Sequence, residues 1–244
     1  MSYEQDRHSN HISQSFNEEL EQIRTELLTM GGLVERQLSD AVNALVAGDT
    51  EQAEQARKSD QSINDMEMMI DEQCTLIIAR RQPAAADLRL IISVSKATSD
   101  LERIGDETSR ICRYAIELAN DGKNVRGYQE VRHIGNLVRD MLQNCLTAFA
   151  RSDAEMAYKV AKQDKEVDSE YRTAMRSLMT YMMEDPRYIT SIMNVMWILR
   201  GLERIGDHAR NMAEHLIYLV SGTDVRHSSL KDIKRTVREV EQKK

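Results

Sequence analysis

The hexapeptide Leu-Glu-Arg-Ile-Gly-Asp stands twice in this chain, at Leu101–Asp106 and at Leu202–Asp207. The duplication extends far beyond it. Ala44-Leu-Val-Ala-Gly-Asp49 answers Ala148-Phe-Ala-Arg-Ser-Asp153. Glu51, Ala53, Lys58 and Asp60 then match Glu155, Ala157, Lys162 and Asp164 at the same offset. The only prolines, Pro83 and Pro186, fall at corresponding points, and the second copy is two residues shorter between them and the hexapeptide. A chain built this way folds as two copies of one unit, each about a hundred residues long, whose apolar faces need covering.

Each copy reads as three helices, at 15–47, 50–80 and 84–121, then 127–151, 154–183 and 187–221. Ile63, Met66, Ile70 and Ile77 recur at helical intervals, as do Ile192, Met196, Leu199 and Leu202. Asp49 and Asp153 have the short acceptor side chains of N-caps, each with a glutamate two residues on. Pro83 and Pro186 suit the first turn of the third helices, where a missing N–H costs nothing. Asp185 is a good cap before Pro186, and Gln82 a weaker one before Pro83. Long helices with short connections pack antiparallel. The expected architecture is therefore all-α, a tandem repeat of two three-helix bundles. It divides into a flexible polar segment at 1–14, repeats at 15–122 and 123–222, and a polar tail at 223–244 that reads as a short helix or a mobile end.

Composition supports this and removes several functions. Glycine (10) and proline (2) are scarce and 30% of residues are charged, as in helical proteins. A net charge of -7 with 5% aromatics is unsuited to nucleic acid, which wants basic patches and stacking rings. No apolar run approaches the roughly 18 residues of a membrane span, and the polar start lacks a secretory h-region, so a cytoplasmic protein is expected. Cys74, Cys112 and Cys145 show no metal-knuckle spacing or disulfide pattern and read as buried thiols. The 14 methionines read most simply as gap-filling core residues, with a Met-rich partner groove as the alternative. His8 and His11 lie in the polar start and read as solvated.

Each hexapeptide puts two carboxylates on one helix face, Glu102 with Asp106 and Glu203 with Asp207. Like charges so spaced repel by roughly 0.2–0.5 kcal/mol. A salt-bridged surface would explain one copy, with Asp106 paired to Arg110 and Arg103 to Glu107. The second copy has His208 and Asn211 where the first has Glu107 and Arg110, so that ladder is not what the copies share. Gly105 and Gly206 sit inside the motifs, although glycine in a helix costs about 1 kcal/mol against alanine. Their repetition suggests close approach of a helix or an ion. Clustered carboxylates call for a cation, and hard oxygen ligands suit magnesium, calcium, manganese or iron. Asp60 matches Asp164, and Asn64 matches Asp168, which gives the second repeat the fuller acidic set. Glu67 faces Tyr171 in the alignment and Asp100 faces Gly201, so neither reads as shared chemistry. A ferritin-like oxidase fails the symmetry test, because Glu130-x-x-His133 corresponds to Glu26-x-x-Thr29. No phosphate loop, G-x-S-x-G or H-E-x-x-H is present, and a non-enzymatic role is expected.

The duplicated Leu-Glu-Arg-Ile-Gly-Asp, with Ala85-Ala-Asp-Leu-Arg89 after Pro83, resembles the PhoU family over roughly Phe16 to Leu219. The resemblance implies two three-helix bundles, a homodimer, and metal held by the acidic motifs. Carried over by position, the ligands are Glu102, Asp106, Glu203 and Asp207, with Asp60, Asp164 and Asp168 in support, and the ion Mg, Mn, Fe or Zn. It also implies a cytoplasmic negative regulator of the phosphate-starvation response and of phosphate uptake. Its partners would be the ATPase subunit of a phosphate ABC transporter and a PhoR-type sensor histidine kinase, reached at the membrane through those partners alone. The alternative is a purely structural helical adaptor without functional metal.

Overall fold

A computed structural model describes residues 2–122 and 126–242, with side chains from residue 14 onward. His8, His11 and the expected repeat boundary at 122–123 fall in or beside the undescribed positions. All regular structure among the described residues is helical. Helix α1 (Ser2–Ala47), α2 (Thr50–Lys58), α3 (Asp60–Arg81) and α4 (Ala85–Asp121) form the first repeat, and α5 (Tyr128–Arg151), α6 (Ala154–Glu184) and α7 (Ile189–Ser221) the second, followed by α8 (Leu230–Glu241).

The expected caps form. Asp49 accepts the Gln52 N–H and Asp153 the Met156 N–H, each at 2.9 Å. Asp185 caps a 3-10 turn, Pro186–Tyr188, that leads into α7. Other boundaries differ from expectation. The middle helix of the first repeat is broken at Ser59, whose hydroxyl donates to the Ala56 carbonyl at 2.7 Å. That local bond competes with the helical ladder. Gln163 takes the equivalent place in the unbroken α6. Pro83 lies before α4 rather than in its first turn, because Gln82 ends α3 in the left-handed region at φ 49°. The backbone is helical from Ser2, ahead of the expected start at 15. The polar tail resolves as a helix: α8 buries Ile233 and Val237 against α6 and α7.

One apolar core runs through both repeats, from Ile23, Leu27 and Leu38 through Ile104 to Val138, Val167 and Leu202. Two seams join the repeats. At the first, α1 meets α5: a Cβ on Gly31 would fall 2.2 Å from Leu146 Cδ2, and one on Gly135 would fall 3.0 Å from Val42 Cγ2. Gly31 and Gly135 are repeat equivalents, as are Val42 and Leu146, so the two contacts are mates of a pseudo-twofold axis. At the second and most extensive seam, α4 packs on α7. Ser93 donates to the His215 carbonyl, Asp100 bonds His208, Arg204 pairs with Glu107, and Ser191 donates to Asp121. Partner numbers fall along α7 as they rise along α4, so the helices run antiparallel. The two hexapeptides cross near the middle of the seam.

The methionines divide. Met30, Met141, Met196 and Met212 are buried, but Met68, Met69, Met179, Met183 and Met193 are exposed, so they are not uniformly core residues. All three cysteines are buried and free. Burial pushes the Cys74 and Cys112 thiols up to about 12.

Candidate functional site

The repeat register gathers the seven predicted carboxylates into two clusters, one per repeat. In the first, α3 begins at the Ser59 break and presents Asp60 to Glu102 and Asp106 on α4. A Cβ on Gly105 would lie 3.2 Å from Asp60 Oδ1 and 3.3 Å from Ile63 Cδ1, so this glycine does admit α3 closely. Gln37 on α1 donates to Asp60 Oδ1 at 3.2 Å, and Ser99 donates to Glu67 at 3.3 Å. Burial raises the Glu102 carboxyl above its ordinary range, and the charges of Asp106, Glu67 and Asp60 raise it further. Burial also raises Asp60, which Gln37 partly offsets and Asp106 reinforces. Glu67 is raised by burial and then by Asp71. Glu67 therefore belongs to this electrostatic cluster, although it has no acidic repeat mate.

In the second, Asp164 and Asp168 on α6 face Glu203 and Asp207 on α7. Gly206 is not a close approach: a Cβ there would meet Val167 at 3.4 Å and Val138 at 3.6 Å, ordinary contact. Arginines enter this cluster. Arg200 donates to Glu203 at 2.8 Å, Arg210 to Asp164 at 3.1 Å, and Arg172 lies 3.5 Å from Asp168. Burial still raises Glu203, with Asp207 adding to it and Arg200 opposing. Burial raises Asp164 despite Arg210. Asp207, more exposed, moves the same way through partial desolvation and the charge of Asp168.

Among the described residues, no group of three or more carboxylates, imidazoles or thiols converges tightly enough to enclose an ion. The clusters nevertheless contain unspent ligand capacity. Gln37 Oε1, Asn64 Oδ1 and Glu203 Oε2 are buried without a hydrogen-bond partner. Such groups are uncommon and costly, roughly 1–3 kcal/mol each, and a hard cation would satisfy them. The donors are carboxylate and amide oxygens with no thiolate, a set suited to magnesium, manganese or iron and less to zinc. When bound, the ion would neutralise Glu102, Asp106 and Asp60, or Glu203, Asp207 and Asp168, and stiffen the helices that carry them.

One constellation escapes a reading based on repeat symmetry. Asp100, 6% exposed, bonds His208 Nδ1 through one oxygen at 2.9 Å and His215 Nε2 through the other at 3.2 Å. Asn211 also donates to it, at 3.4 Å. Burial would raise this carboxyl, but the hydrogen bonds from the two histidines outweigh it and hold it below its usual range. The available signal was polarity at apolar helical positions, since Asp100, His208 and His215 all fall on buried faces.

The PhoU domain model matches residues 27–115 and 131–216, one segment in each repeat. A curated relative from Pseudomonas aeruginosa, the phosphate-specific transport system accessory protein PhoU homolog, is 61% identical over 229 residues, covering 94% of this chain and 95% of its own. The accessory protein PhoU of Escherichia coli K12 is 46% identical over 217 residues, covering 89% and 90%. The crystal structure of PhoU from P. aeruginosa superposes with a TM-score of 0.84 at 62% identity, covering 85% of this chain and all of that one. The phosphate transport system regulatory protein PhoU from Streptococcus pneumoniae gives 0.80 at 30% identity, covering 86% and 99%. Both halves of the duplication carry the signature, and the chain belongs to the PhoU family.

Proposed function

We propose that this chain is an accessory protein of a phosphate transport system, acting in the cytoplasm as a helical adaptor. In this reading it restrains phosphate uptake and silences the starvation response by linking the transporter's ATPase subunit to a PhoR-type sensor kinase. The observation that carries the reading is the near full-length identity to relatives named for that accessory role. No helix among the described residues is long and apolar enough to cross a membrane, which accords with contact to the transporter through partners. An adaptor also needs a docking face, and one end of the second repeat has an exposed apolar group. Met179 and Met183 end α6, while Ile189, Met193 and Trp197 begin α7, with Met183 78% and Trp197 51% exposed. Surface of this kind marks sites of protein contact, either between copies in a homodimer or with a partner.

To bias a kinase, the adaptor must bind its two states unequally, since equal affinity shifts nothing. The long helical faces supply the contact area, and a cation in the acidic clusters would set the spacing of α3 from α4 and of α6 from α7. Deleting the gene should leave starvation genes expressed in phosphate-rich medium, with repression restored by the wild-type copy. Normal repression in the deletion strain would overturn the regulatory role. The second reading, a structural adaptor without functional metal, is favoured by the arginines that compensate the second cluster. Elemental analysis of protein purified without chelator separates the two.

A further inference from the structure

A cavity of about 760 Å³ opens between α4, α7 and the segment joining α7 to α8. Its size lies within the range of ligand pockets, roughly 300–1,000 Å³. In a chain of net charge -7, its wall carries five lysine and arginine side chains against three carboxylates. Two of those carboxylates are already engaged. Asp100 holds His208, Asn211 and His215, and Glu214 accepts from Arg210 at 3.0 Å. Two of the cations, Lys96 and Arg103, form no close ion pair among the described residues, although the charge of Lys96 reaches Asp224 and that of Arg103 reaches Glu67 and Glu102. His227 joins them with φ at 61°, a left-handed conformation uncommon for a residue with a side chain and frequent at functional sites.

The repeat geometry gives the cavity a second mark. Across the α4–α7 seam, Lys96, Asp100, His208, Asn211 and His215 correspond to Trp197, Gly201, Glu107, Arg110 and Tyr114. The pseudo-twofold mate of the Asp100–His208 contact is Gly201 beside Glu107, where a Cβ would lie 3.7 Å from Glu107 Oε2. Chemically divergent positions of an otherwise matched helix pair thus collect around one space at one end of the seam. Packing alone gives no reason for that concentration.

We propose that this inter-repeat cavity binds a phosphoryl oxyanion, either inorganic phosphate or a small phosphate monoester. Lys96 and Arg103 supply charge-assisted donors to the phosphoryl oxygens. Asp207, also in the wall, has no hydrogen-bond partner among the described residues and serves as an acceptor. A phosphoryl group that still carries a hydroxyl can donate to that carboxylate while accepting from the cations. Sulfate has no proton to share and meets Asp207 as a like charge. The inference goes beyond the adaptor reading and concerns the metal-free protein, in which Asp207 is available as an acceptor.

The test is calorimetric titration of chelator-treated full-length protein with inorganic phosphate, glycerol phosphate and sulfate. Chelation keeps a metal-mediated contact at Asp207 from mimicking the site. Inorganic phosphate, which keeps a hydroxyl near neutral pH, should bind at least about tenfold more tightly than sulfate, and the ester should do so only below about pH 6, where it keeps a phosphoryl proton. Preference for inorganic phosphate or for the ester identifies the source of the ligand. The double variant Lys96→Ala, Arg103→Ala removes partly exposed side chains and should keep the wild-type melting temperature while losing at least about tenfold in affinity. Absence of binding up to about 10 mM, equal binding of sulfate, or an unaffected double variant would each overturn the proposal.

Discussion

In the second acidic cluster Arg200, Arg210 and Arg172 lie 2.8, 3.1 and 3.5 Å from Glu203, Asp164 and Asp168. In the first, Asp60 meets the neutral amide of Gln37 at 3.2 Å, Asp106 alone forms a close ion pair among the described residues, with Arg110 at 3.5 Å, and Arg103 offsets Glu102 only from farther away. Identical hexapeptides therefore sit in settings that differ in how much cationic charge offsets them. Counting carboxylates favours the second repeat as the cation site, since Asp168 stands where the first has Asn64. Counting charge favours the first, whose carboxylates lack comparable compensation. The glycines agree, because Gly105 is pressed by α3 and Gly206 is not.

The largest effect expected from this difference is on ion binding. Glu102→Gln with Asp106→Asn should weaken manganese binding by more than about tenfold, whereas Glu203→Gln with Asp207→Asn should weaken it by less than about threefold. Titration of metal-free protein gives both values, and the reverse order would show that ligand number outweighs compensation. Acid response sharpens the same point. Asp60 and Glu102 in the first cluster, and Asp164, Glu203 and Asp207 in the second, are raised in the folded state, by burial first, so the folded chain holds their protons more tightly than the unfolded chain. Their contribution is fully present below the ordinary carboxylate range and is lost as pH rises through the raised values. Metal-free protein should melt at higher temperature near pH 5 than near pH 7.5, and manganese should raise the melting temperature more at the higher pH. Asp185 and Asp224, held at about 2, act in the other direction and lose their contribution only in stronger acid.

Smaller effects belong to the glycines. Gly31→Ala drives a methyl against Leu146 and should cost about 1–2 kcal/mol by urea denaturation, after its gain in helix propensity. Its mate Gly135→Ala should cost less, because Val42 has to yield only slightly. Smallest of all, Gly206→Ala should be neutral or stabilise by up to about 1 kcal/mol, while Gly105→Ala should destabilise. Equal responses at Gly105 and Gly206 would remove the packing half of the contrast.

Local chemistry was largely legible in the sequence. Asp49, Asp153 and Asp185 cap as expected, and the duplicated spacing brought Asp60 to Glu102 and Asp164 to Glu203. The Ser59 break was hidden, because serine inside a helical pattern does not announce a hydroxyl bond to its own preceding turn. Helix α8 left a usable trace in Leu230, Ile233 and Val237 at helical spacing, within a segment whose polar composition obscured it. Cluster compensation was only half legible: Arg200–Glu203 and Asp168–Arg172 are pairs at helical spacing, but the pairing of Arg210 with Asp164, 46 residues away, exists only once α6 packs on α7. Asp100 was set aside because its mate is glycine. That symmetry filter finds what both repeats do and discards what their junction alone can do.

The matched pairs Gly31 with Leu146 and Gly135 with Val42 make the contact between repeats isologous: each copy offers the other the same patch of surface. A chain of half this length would possess every element of that interface and could close it by associating with a second molecule of itself. Covalent fusion removes the constraint that both partners stay identical, so a substitution on one side of the axis need no longer be answered on the other. That freedom lets Trp197 and Lys96 occupy equivalent places at opposite ends of one helix pair.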